Sequence, residues 1–217
     1  MVIAKTKVLN IEIVSDVVCP WCFIGKRRME KALKLISNQS EVRVTWKPFE
    51  LNPSIPKEGV DRKEYLEAKF GGSDELQSIH DNVQQAAESV GLHFEFDRME
   101  RMPNTRDAHR LIWFAGKERL QDQIVEGLFR AVFLEGQFVG DYAVLGKIGT
   151  SAGLDKSKVN RFLDSDQGKD EVQGEIKQAL RRGVQGVPNF LINSHYVIQG
   201  AQPPDVMAQF LKQALKD

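Results

Sequence analysis

Cys19 and Cys22 are the only cysteines in a chain of 217 residues, and two residues separate them. Two sulfurs at that spacing can close a disulfide within about one helical turn, store two electrons and release them by thiol–disulfide exchange. They cannot build the long-range framework of several bridges that staples small secreted domains. A four-ligand zinc site would have to add two of His80, His93, His109 and His195, and these form no close pair in the sequence, so no metal is expected. Redox chemistry is what remains.

The surroundings of the pair divide the labour between the sulfurs. Val8 to Ser15 alternates apolar and polar residues and reads as a strand, and Phe23 to Ile36 carries apolar residues at helical spacing. Cys19 therefore falls where a strand gives way to a helix, and the unpaired N–H groups and dipole there favour a negative sulfur. Pro20 fits the first helical position, where no donor is wasted. Cys22 lies almost one turn later and is more shielded, so Cys19 is expected to attack and Cys22 to resolve. Trp21 between them offers either an apolar grip for a peptide or a packed indole. The second half of the site should come from Gly186-Val187-Pro188. Pro188 opens an apolar strand, and a cis Val187–Pro188 bond there would leave the Val187 backbone free to pair with an extended substrate; a trans proline can also start a strand.

The positioning elements follow from pattern. Glu41 to Leu51 alternates again and ends in a Pro-rich loop, completing a strand–helix–strand unit around the cysteines. From Asp61 the character changes to helices over Asp61–Phe70, Ser73–Val90, Thr105–Gly116, Lys117–Glu135, Asp141–Ala152 and Lys156–Leu163. Glycines (71–72, 91, 136 and 153) punctuate them. Only the short alternating segment His93 to Phe96 breaks the run. A helix over Asp166–Arg182, strands over Val187–Ile192 and His195–Gln199 joined at Asn193-Ser194, and a last helix over Asp205–Leu215 complete the chain.

Composition narrows the partners. Thirty Lys and Arg balance thirty Asp and Glu, so the net charge is zero, and no global basic field exists to recruit nucleic acid or an anionic membrane. No apolar run approaches the ~18 residues of a membrane span, and the first ten residues lack a signal-peptide core. A soluble cytoplasmic protein is expected.

Three segments then carry a resemblance. Ser15-Asp16-Val17-Val18-Cys19-Pro20-Trp21-Cys22-Phe23-Ile24-Gly25, Gly183-Val184-Gln185-Gly186-Val187-Pro188-Asn189-Phe190 and Ile198-Gln199-Gly200-Ala201-Gln202 together resemble the DsbA-like thioredoxin-fold proteins, and within them the FrnE-type oxidoreductases of the cytoplasm. The resemblance implies an α/β thioredoxin fold with a large all-helical insertion, the thioredoxin-like domain formed by residues 1–60 and 165–217 and the insertion by 61–164. It also implies a redox-active Cys19–Cys22 pair and a cis Pro188. Kappa-class glutathione transferases and 2-hydroxychromene-2-carboxylate isomerases share the superfamily. They typically have a serine where this chain has Cys19, and their glutathione-binding Ser-Asp pair appears here as Ala201-Gln202.

The leading expectation is thus an enzyme: a thiol–disulfide oxidoreductase acting on protein or small-thiol substrates, with Cys19 and Cys22 catalytic and Trp21, Val187 and Pro188 binding substrate. It needs no cofactor, with glutathione as a possible redox partner. The alternatives are a glutathione-dependent isomerase or transferase, and a partner-binding module whose disulfide is regulatory. Lesser signals are read as structure. Asn104 or Thr105 caps a helix with His109 on its surface, and Lys26-Arg27-Arg28 form a solvated basic face. Trp113, Phe114, Phe129, Phe133 and Phe138 fill the insert's own core, and Glu50 is a candidate buried proton acceptor beneath Cys22.

Overall fold

The structure, a computed structural model, describes residues 7–36 and 40–216. Alternation in β1 (Lys7–Ser15) turns Leu9, Ile11 and Ile13 into the core. That strand lies inside a four-stranded sheet, parallel to β2 (Ser40–Pro48) and antiparallel to β5 (Asn189–Ile192). The last strand, β6 (Tyr196–Gln199), pairs antiparallel with β5, giving the order β2-β1-β5-β6. Helix α1 (Pro20–Lys34) links β1 to β2 and packs on α9 (Pro204–Ala214), while α8 (Lys169–Arg181) packs on β2. These are the strand–helix–strand and helix–hairpin–helix halves of a thioredoxin fold.

Between the halves run α2 (Arg62–Phe70), α3 (Ser73–Glu88), α4 (Arg106–Gly116), α5 (Gln121–Phe133), α6 (Tyr142–Ser151) and α7 (Lys156–Leu163). Asp61, Asp141 and Asp155 cap α2, α6 and α7 by accepting a backbone N–H. Gly71, Gly91, Gly136 and Gly153, expected to end helices, all have positive φ. Where boundaries differ from expectation, a competing hydrogen bond explains it. The Leu120 N–H returns to the Ala115 carbonyl and Arg119 turns left-handed, so α5 starts at Gln121 rather than Lys117. The segment His93 to Phe96 forms no strand, because the Phe94 N–H goes to the Gln84 side chain and the Glu95 N–H to the Phe133 carbonyl. The short ladder of this region pairs β3 (Val60–Asp61) with β4 (Arg101–Met102) instead.

The aromatic side chains do not form a core private to the helical segment. Phe23 of α1 is fully buried and stacks on Phe129 of α5 at 5.0 Å, with Phe94 at 6.0 Å and Phe133 at 6.3 Å. Trp46 of β2 meets Phe129 edge-on at 6.3 Å, so this cluster joins the sheet and the cysteine helix to α5. Phe114 and Trp113 stack on Phe162 among the helices, as expected. Phe138 lies half-buried under the Arg101 guanidinium at 4.2 Å.

The basic run of α1 is likewise not a solvated face. Lys26 is only 5% exposed and sits between Glu30 at 2.5 Å, Asp122 at 3.2 Å and Glu126 at 3.3 Å. Arg27 pairs with Glu126 and lies over the Phe23 ring, and Arg28 donates to the Ala201 carbonyl. Helical spacing put these residues on a polar stripe; the acids of α5 cover it. Removing the central ring tests the shared core: Phe129→Ala should cost about 3–5 kcal/mol in urea unfolding, and a loss under about 1 kcal/mol would show that the ring is not a keystone.

Candidate active site

The end of β1 delivers Cys19 to the N-cap of α1 in extended geometry (φ −90°, ψ 111°), with Pro20 as the first helical residue. The Cys19 N–H donates to the Asp16 carbonyl and the Cys22 N–H to the Cys19 carbonyl, fixing the turn that brings the cysteines to 3.5 Å. Both are free thiols. Cys19 is 5% exposed and Cys22 1%. Burial pushes the Cys22 thiol well above its ordinary 9.0, and the neighbouring Cys19 adds to the rise; Ser15 and the Asp16 backbone oppose it. Cys22 is therefore a sealed, protonated thiol at neutral pH.

The Val187–Pro188 bond is cis and immediately precedes β5. The Cys19 Sγ lies 3.6 Å from the Val187 carbonyl oxygen and donates to it, so this carbonyl, expected to stand free for a substrate strand, is engaged when the thiol is protonated. The Pro188 carbonyl accepts from Gly200 at 2.8 Å. Gly25 explains the closeness of helix and loop. A Cβ at that position would stand 2.9 Å from the Pro188 ring and 3.2 Å from Phe190, a space only hydrogen fits.

A cleft of about 640 Å³ opens at the pair. Cys19, Trp21 and Val187 line it together with Leu51, Leu66 and Phe133. Trp21 is 38% exposed, so of its two expected roles the structure favours the accessible apolar face over the packed indole. Pro188 lies off this cleft; it and Val187 border a neighbouring surface hollow of about 280 Å³. Cys22 lies behind Cys19.

Sequence reasoning missed the buried carboxylate at the site. Asp16 has no exposure; its Oδ2 accepts from the Leu51 N–H at 2.7 Å, and its Oδ1 lies 3.3 Å from His109 Nε2. The same nitrogen is 2.9 Å from the Phe49 carbonyl, and with two acceptors facing it, it carries the proton. His109 is thus not a surface residue: it is 3% exposed, on the face of α4 turned to the sheet. Its place in the helix that starts after the N-cap Thr105, with Asn104 Oδ1 accepting from the Arg106 N–H, gave no sign of that partner. Glu50 is not the free acceptor expected beneath Cys22. Both its oxygens are taken by Arg106, each at 3.0 Å. Among the described residues no cluster of three or more His, Cys, Asp or Glu could hold a metal.

The profile of the DSBA-like thioredoxin domain matches residues 10–212, which include the cysteine helix, the helical segment and the Pro188 loop. The chain belongs to that family. Within solved structures it is similar to a probable DsbA oxidoreductase from Streptomyces coelicolor, at 33% identity and a TM-score of 0.88, covering 96% of this chain and 91% of that one. An uncharacterized protein of Bacillus subtilis, YwbO, is 29% identical over 214 residues, 96% of this chain and 98% of that protein. The cytosolic disulfide reductase DsbM of Pseudomonas aeruginosa, determined with GSH, is 18% identical with a TM-score of 0.66, covering 96% of this chain and 100% of that one. At that identity the likeness is one of fold. No described helix of this DSBA-like chain is long and apolar enough to cross a membrane.

The Cys22 environment makes stability pH-dependent in a defined direction. The folded state keeps a proton that the unfolded chain releases near pH 9.0, so the contribution of Cys22 is intact below that pH and lost as pH rises toward the folded value. Urea unfolding of the reduced protein from neutral pH to about pH 10 should show a steeper fall for wild type than for Cys22→Ala. Parallel slopes would contradict the raised thiol.

Proposed function

We propose that this DSBA-like protein is a thiol–disulfide oxidoreductase that exchanges disulfides with protein or small-thiol substrates through Cys19. The observation that carries the reading is the asymmetry of the pair: one sulfur at a helix start on an open cleft, its partner 3.5 Å away and sealed. The Cys19 thiolate attacks one sulfur of a substrate disulfide, forming a mixed disulfide and expelling the other sulfur as a thiolate. Cys22 then gives up its proton, attacks Cys19 and expels the second substrate sulfur. The substrate disulfide gains two electrons, the cysteine pair loses two and becomes a disulfide, and the protons of the two cysteine thiols end on the substrate thiols or in solvent. A second dithiol, or two molecules of a monothiol such as glutathione, returns the electrons in the reverse sequence. In this reading Trp21 and Val187 hold the substrate against Cys19, and Pro188 shapes the loop that presents Val187.

The chemistry needs no metal, flavin or nucleotide, because the protein sulfurs carry the electrons. A cytoplasmic setting suits reductase or isomerase use over net oxidation, and the FrnE-type branch is the part of the family whose motifs the sequence resembles. A glutathione-dependent isomerase or transferase has less support, since Cys19 stands in place of the serine usual there and Ala201-Gln202 in place of Ser-Asp.

Single substitutions separate these activities. Cys22→Ser should accumulate a mixed disulfide through Cys19, detected by mass spectrometry, whereas Cys19→Ser should trap little; both should abolish dithiol turnover of a peptide disulfide. Full chromene-carboxylate isomerase activity in Cys22→Ser, with no disulfide turnover by wild type, would overturn the assignment. A regulatory disulfide in a binding module would show neither turnover.

A further inference from the structure

Among the described residues three cationic side chains are more than nine-tenths buried, and two of them are fully supplied. Arg110, with no exposure, pairs with Asp107 at 2.7 Å and donates to the carbonyls of Gln167, Phe162 and Ser165. Lys26 has three carboxylates around it. Arg62, at the start of α2, is different. It is 7% exposed, its Nε has no hydrogen-bond partner, and no carboxylate among the described residues lies within ion-pair distance of it. Its Nη2 lies 3.3 Å from His80 Nε2, and its guanidinium stands over the Phe96 ring at 5.4 Å, with His80 stacked on that ring at 4.3 Å.

Neither neighbour neutralises the charge. Burial and the adjacent Arg62 lower the proton affinity of His80, so a neutral imidazole accepts from the guanidinium. Burial draws the Arg62 pKa down to about 10, with only Asp97 opposing through space, so Arg62 is still a cation at neutral pH. An unpaired buried cation with an idle donor is unfavourable and persists where something else completes it. Arg62 lines the same cleft as Cys19. Lys69, Arg98 and Arg101 also line it, against Glu100 as the single acid, while Leu66, Leu76 and Phe133 supply apolar wall. A volume of about 640 Å³ is in the range of sites for small molecules.

We infer that Arg62 is a carboxylate-binding residue, and that the cleft takes small disulfides or thiols with an apolar body and a carboxylate, held so that their sulfur meets Cys19. This rests on the exchange reading above and adds the substrate class to it. A disulfide of this class receives two electrons from the reduced pair and leaves as two thiols while Cys19 and Cys22 become a disulfide; thiols of this class run the exchange in reverse, two of them joining as a disulfide while the Cys19–Cys22 disulfide is reduced to two thiols.

The test compares two chromogenic aromatic disulfides reacting with the reduced protein, the dianionic dithiobis(nitrobenzoate) and the neutral dithiodipyridine. Wild type should lose its relative preference for the anionic reagent in Arg62→Gln, the ratio of second-order rate constants falling at least about tenfold, and high salt should lower the wild-type ratio in the same direction. A ratio unchanged by Arg62→Gln would overturn the subsite. A wild-type arm guards against misfolding of the variant: benzoate should slow the dithiodipyridine reaction well beyond the effect of benzamide, and equal effects would equally overturn it. The two readings fail differently. If neither disulfide oxidises the cysteine pair, exchange itself is wrong, and benzoate-specific thermal stabilisation of wild type, absent in Arg62→Gln, still decides whether Arg62 binds carboxylates.

Discussion

A carboxylate with no contact with solvent governs the geometry of the site. Burying Asp16 is costly unless its oxygens find donors, and the donors it finds lie far away in sequence: the Leu51 N–H beyond β2 and the His109 ring on α4. Satisfying one side chain thus ties the end of β1, the loop after β2 and a helix of the 61–164 segment into one joint. The Asp16 carbonyl belongs to the same joint, because it accepts the N–H of Cys19 and sets where α1 begins. The position of the Cys19 sulfur depends on this joint as much as on its own helix.

The cysteine helix is then fixed along its other faces. Phe23 enters the aromatic cluster of α5, Lys26 and Arg27 meet the α5 acids, and Arg28 reaches the loop before α9. Burial would raise the Glu126 pKa, but its hydrogen bond to Arg27 and the nearby Lys26 charge win and hold it low. These contacts place the wall of the cleft, since α5 contributes Val132 and Phe133 to its lining. Ion pairs that look like surface decoration in the sequence hold the wall of the cleft against the cysteine pair.

Local signals in the sequence located the elements well, because strand alternation, helical spacing, aspartate caps and helix-ending glycines act within a few residues. The placement of the cysteine pair was legible for the same reason: a strand-to-helix junction is a local event. What escaped were partners met only in three dimensions. Nothing near His109 announces Asp16, nothing near Glu50 announces that Arg106 will take both oxygens, and α1 alone cannot reveal that acids of α5 cover its basic stripe. Phe129 and Phe133 were rightly expected inside, yet which ring they would stack on depended on the packing of α5 against α1.

The sealing of Cys22 has a kinetic corollary. Only Cys19 faces the cleft, so under the proposed chemistry an electron donor and an electron acceptor must come through the same opening and meet the same sulfur. They cannot be bound together. Turnover would follow double-displacement kinetics, each substrate competing with the other for the form of the protein it does not react with, and flux would peak at intermediate donor concentrations rather than rise to a plateau.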